Sequence, residues 1–135
     1  MKQRTKILFF ILEIISGIAI GIIGMRLITP EKPIFDLNLS IILGFLSIYA
    51  FALIGIGIPG YFHSRIIDQN KTYGTGIKKA AIGLLIGMVL GLILSAVTSG
   101  FLPHGMAAFT IPVLTTILCG VIGFNKGIKT FANKV

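Results

Sequence analysis

Four predominantly apolar stretches, 7–28, 39–59, 77–99 and 106–124, are separated by short segments that gather the prolines, most of the charges and the turn-forming residues. Each stretch is close to the roughly 20 residues that an α-helix needs to cross a hydrocarbon core of about 30 Å. The pattern predicts an all-α membrane protein, a four-transmembrane-helix bundle forming one integral membrane domain over residues 1–135. Pro30 and Pro33 reverse the chain after the first stretch, and the short 99–105 segment makes the last two stretches an antiparallel hairpin. Gly55, Gly57, Pro59 and Gly60 cluster at the end of the second stretch. Pro59 removes a helix hydrogen bond, so the helix is expected to end or kink there. Residues 61–76 then form a cytoplasmic loop. In it Tyr61, Phe62, Ile66 and Ile67 alternate with His63, Arg65 and Asp68, as in a short amphipathic segment lying on the membrane surface.

Composition agrees with this class: 55% of residues are hydrophobic and the mean hydropathy is +0.99. The net charge of +8 would suit a nucleic-acid partner, but its distribution argues for the lipid bilayer instead. Ten of the twelve Lys and Arg residues precede the first stretch, lie between the second and third, or follow the fourth; only Arg26 and Lys32 fall on the other side. By the positive-inside rule both termini and the central loop are cytoplasmic, and the expected location is a bacterial cytoplasmic (inner) membrane. The first stretch starts like a secretion signal, but its apolar run is too long and no small-residue cleavage motif succeeds it, so a retained helix is expected. Cys119 is the single cysteine, which rules out an intrachain disulfide.

Small residues recur every fourth position on the third stretch, at Gly83, Gly87, Gly91, Ser95 and Ser99. On a helix they form one stripe with little side-chain relief, along which another helix can approach to backbone contact. Gly17, Gly21 and Gly24 make a shorter stripe on the first stretch, and Cys119, Gly123 and Gly127 one on the fourth. The expected contact is between the first and third helices, with homo-oligomerisation through the same stripe or a pore lined by it as the alternatives; the expected partners are a second copy or a larger membrane complex. Sliding the chain by 70 residues pairs Gly17 with Gly87, Gly21 with Gly91, Pro33 with Pro103 and Gly57 with Gly127, as a parallel duplication of a helical hairpin would.

Glu13 is the candidate for proton or cation coupling. It sits six residues into the first stretch, about 9 Å deep at 1.5 Å per residue. Inserting an acid near a helix centre costs on the order of 3 kcal/mol, so it should face the bundle, on the side that carries Gly17, Gly21 and Gly24. Arg26 can snorkel to the opposite surface or pair with Glu31 or Asp36. His63 and His104 are expected on opposite sides of the membrane, no His/Cys/Asp/Glu group has metal-ligand spacing, and no cofactor is implied. Thr110, Thr115 and Thr116 can bond the carbonyls that Pro112 leaves open.

No intramembrane Ser–His or paired-Asp arrangement, CxxC motif or head-group-transfer motif is present, so no enzyme is expected. Leu12–Glu13–Ile14–Ile15 resembles the first helix of small multidrug-resistance transporters. Those proteins have very short loops, whereas this chain has its 61–76 segment and no tryptophan, so no family is assigned. The leading expectation is a non-enzymatic helical bundle acting as accessory subunit, assembly factor or scaffold. The alternative is a small proton- or cation-coupled transporter or channel using Glu13. A transporter needs a cavity that reaches Glu13; a scaffold leaves it packed.

Overall fold

The computed structural model describes residues 3–28, 37–98, 100 and 110–128, and among them every regular element is helical. The helices are α1 (Gln3–Ile28), α2 (Leu37–Asp68), α3 (Tyr73–Thr98) and α4 (Ile111–Gly127). Three contain windows long and apolar enough to cross a membrane: Gln3–Gly24, Leu46–Ile67 and Tyr73–Thr98. α4 is a shorter apolar helix of 17 residues. The expected reversal at Pro30 and Pro33, the partners Glu31 and Asp36 of Arg26, the 101–109 segment with His104, and Ser99 lie outside the described residues.

α2 departs from expectation. It runs unbroken through Pro59 to Asp68, 32 residues in all, or about 48 Å at 1.5 Å per residue. The loop expected at 61–76 is therefore mostly helix, and the connection shrinks to residues 69–72. Pro59 still lacks the N–H that would bond Gly55, but the next turn of the helix is buried on one side. His63 and Ser64 are completely buried, and buried Gly60 faces the ring of Phe124. Packing against α4 outweighs the lost bond. The helix stops where Gln69 and Asn70 take positive φ values of 57° and 67°, with the Gln69 N–H donating to the Arg65 carbonyl.

Two antiparallel hairpins make the bundle, α1 with α2 and α3 with α4. Their core joins Ile48, Ala52 and Ile56 of α2, Ala80 and Leu84 of α3, and Val113, Ile117, Val121 and Phe124 of α4. The stripe on α3 meets α4, not α1: among the described residues α1 and α3 make no contact. A Cβ built on Gly83 would strike the Cys119 carbonyl oxygen, and one on Gly87 would lie 2.6 Å from Thr116 Cα. Gly91 opposes Pro112 in the same way, and Gly123 and Gly127 of α4 oppose Lys79 and Gly76 of α3. Backbone therefore touches backbone along the seam from both sides. Ser95, beyond Gly91, is half-buried. On α1, Gly21 sits against Ala52 and Gly24 against Phe51, so this stripe is occupied by α2. Thr115 and Thr116 donate to the carbonyls of Ile111 and Pro112 at 2.7 and 2.6 Å, closing the first turns of α4.

Candidate functional site: a buried Glu–His–Asn clasp

Three helices each contribute one polar side chain to a single point in the bundle. Glu13 lies on the α1 face that also carries Gly17, Gly21 and Gly24, and all four are buried. Gly17 admits Ile56 and Ile117 to within 3.2 Å of the position a Cβ would take, which draws both α2 and α4 towards α1. One turn nearer the N-terminus, Phe9 stacks on the His63 ring with centroids 4.8 Å apart and planes 6° from parallel. On α2, Gly60 precedes His63 by one turn, and a side chain there would strike the ring of Phe124. The glycine lets Phe124 in and so brings its neighbour Asn125 to the carboxylate.

The resulting contacts are short. His63 Nδ1 is 2.8 Å from Glu13 Oε1, and Asn125 Nδ2 donates to Glu13 Oε2 at 2.6 Å. Asn125 Nδ2 also donates to the Val121 carbonyl at 2.9 Å. Both of its partners are acceptors, so the amide orientation is fixed by the network. Glu13 and His63 are 0% exposed and Asn125 3%. Two polar atoms at the site have no hydrogen-bond partner, His63 Nε2 and Asn125 Oδ1.

Chemically this is a carboxylate with one donor on each oxygen. One proton spans the gap between Glu13 and His63: it sits on Nδ1 of a histidine beside a carboxylate, or on Oε1 beside a histidine that accepts. Nδ1 donation by a neutral ring leaves Nε2 as a lone pair facing apolar surroundings. The network can therefore hold three helices at one level, and it can also hold a proton.

Of the residues expected to matter, Glu13 is placed in this cluster, and Gly17, Gly21, Gly24, Gly83, Gly87 and Gly91 at helix contacts. Arg26 is exposed on α1, and Cys119 is a half-buried free thiol. Among the described residues no group of three or more His, Cys, Asp or Glu could hold a metal ion. Sequence reasoning missed His63, which it assigned to a surface loop, and Asn125. The available signal was depth. All three are polar residues near the ends of apolar runs.

No family model matches the chain, and neither curated proteins nor solved structures give a match.

Proposed function

We propose that this chain is a four-span bacterial inner-membrane protein with cytoplasmic termini that performs no chemistry and acts by association, as an accessory subunit, assembly factor or scaffold. The apolar run from Met106 extends α4 in sequence to spanning length. The observation that carries the reading is the closure of Glu13. Both carboxylate oxygens are occupied, the group is fully buried, and the groove that opens between α2 and α3 is lined without Glu13. An acid sealed in this way fixes helix register, a use for which buried polar groups are known.

Cross-linking in native membranes followed by native electrophoresis tests the proposal. A discrete assembly larger than the monomer is expected, and a protein that stays monomeric at all cross-linker doses would refute it. The transporter reading is kept by one observation, the unpartnered buried Nε2 of His63 beside the proton shared with Glu13. Proteoliposomes under a pH gradient separate the two. Association predicts no flux above empty vesicles. Flux that Glu13→Gln abolishes would replace the association reading with proton coupling.

A further inference from the structure

α2 and α3 leave the 69–72 turn without closing on each other, and a groove of about 540 Å³ opens between them. Leu53, Ile54, Gly57 and Ile58 of α2 form one wall, continued by Tyr61 and Phe62, with Tyr73 and Ile77 of α3 opposite. Its floor is Gly57, where a Cβ would reach the Tyr73 hydroxyl at 3.2 Å; that hydroxyl donates to the Gly57 carbonyl at 2.9 Å. The Tyr73 donor is thus spent internally, and what remains is an apolar trough whose rim residues Ile54, Ile58 and Phe62 are exposed. From Leu53 to Phe62 the trough runs along ten residues of helix, nine rises or about 14 Å at 1.5 Å per residue.

The end of the trough nearest the turn is cationic. Arg65 lies one turn beyond Tyr61 on α2 and Lys71 is in the turn; both are exposed. Residues 65–79 carry four basic residues against one acid, Asp68. Tyr61 and Tyr73, edge to face with centroids 5.6 Å apart, mark the boundary between the apolar trough and the charged end. Aromatic pairs at that level are what a membrane–water interface selects. A molecule that fits must be apolar over about 14 Å and anionic at one end.

We propose that the α2–α3 groove binds one anionic phospholipid, its acyl chain along Leu53–Phe62 and its phosphate against Arg65 and Lys71. The inference rests on the chain lying in a membrane and is independent of the association reading. Lys and Arg near an anionic membrane surface attract its headgroups additively, and the groove converts that diffuse attraction into a site by holding the chain.

The test uses the full chain in nanodiscs of equal phosphatidylglycerol and phosphatidylcholine with matched acyl chains. Native mass spectrometry after release reads the retained lipid. One phosphatidylglycerol should be retained in preference to phosphatidylcholine, and Arg65→Gln with Lys71→Gln should reduce that preference about thirtyfold. Ile58→Trp, which fills the trough from its exposed rim, should reduce retention of both lipids. Equal retention of the two lipids by the wild type would overturn the proposal, as would retention untouched by Ile58→Trp. A wild-type arm needs no variant to fold: a phosphatidylglycerol with a photoreactive acyl chain should label 53–62 and 73–77 above all other segments. Uniform labelling of the lipid-facing helices would overturn the groove as a site. Carbonate extraction of native membranes checks the premise separately, since a chain released into the supernatant fails the membrane assignment itself.

Discussion

If Glu13 and His63 form a clasp, their removal must be strongly non-additive. Consider His63→Phe, which keeps a ring stacked on Phe9 but removes the donor to Glu13 Oε1. A buried carboxylate is left with Asn125 alone, and breaking one side of a buried ion pair costs about 3–5 kcal/mol. Glu13→Leu removes the charge but orphans His63 Nδ1, at about 1–3 kcal/mol. Asn125 still has the Val121 carbonyl at 2.9 Å, so it adds little to that loss. In the double variant neither orphan exists, and an apolar pair of similar volume should fold within about 1 kcal/mol of the wild type. A discount applies, because side chains in a membrane-embedded unfolded state find other partners. Ordinary interhelical hydrogen bonds in lipid couple by about 0.6 kcal/mol on average and about 1.7 at most. A coupling of about 2 kcal/mol or more would therefore mark a charge-bearing contact rather than one more hydrogen bond. Equilibrium unfolding in mixed dodecylmaltoside–SDS micelles, followed by circular dichroism, measures all four corners of the cycle. Additive single variants, with coupling under about 0.6 kcal/mol, would refute the clasp.

The seam and the topology give further expectations. Gly83→Ala puts a methyl against the Cys119 carbonyl and should separate α3 from α4, whereas Gly44→Ala, with nothing within 4 Å, should be neutral or stabilising by up to about 1 kcal/mol through helix propensity; thermal aggregation in detergent ranks the two, and equal behaviour would mean the seam is loose. Leu85→Ile and Leu94→Ile, both on exposed positions of α3, should leave the same melting curve unchanged. Glu13→Gln should fold nearly as well as the wild type, because an amide accepts from Asn125 and donates to Nδ1 of the alternative His63 tautomer; loss of the folded state would mean the charge itself is required. In a Cys119→Ser background, a cysteine at Lys71 should resist an impermeant thiol reagent added to intact cells and react after permeabilisation, and labelling from outside would invert the orientation.

Helix existence was legible because hydrophobic length is a one-dimensional property, and three of the four stretches overlap helices long and apolar enough to cross a membrane. The buried face of α1 was legible too, since one acid and three glycines repeat at helical spacing. The course of α2 was not. Pro59 and its flanking glycines are strong local breakers, and whether a helix survives them depends on what the next two turns can bury. Here that is the fit of Phe124 over Gly60 and of His63 under Phe9, contacts 64 and 54 residues apart in sequence. Losing those two turns placed His63 in a surface loop and broke its connection to Glu13. The partner of the α3 stripe was misassigned for a related reason. A glycine stripe states that a helix will come close without stating which one, and α1 and α4 both carried a complementary stripe.

The two kinds of contact do different work. Between helices in lipid there is no water-driven burial, so the glycine seams supply attraction through close backbone contact. Such a seam repeats its glycines about every four residues, one helical turn of about 5.4 Å. Along α3 and α4 each glycine faces a different partner, Gly76 with Gly127, Gly123 with Lys79, Gly83 with Cys119, Gly87 with Thr116 and Gly91 with Pro112. The clasp is not periodic. Glu13 reaches His63 and Asn125 only when α1, α2 and α4 are aligned at that level, and any slip leaves a carboxylate in hydrocarbon with no donor. The clasp therefore fixes the register of α1, α2 and α4, while the seam holds α3 against α4 by close contact.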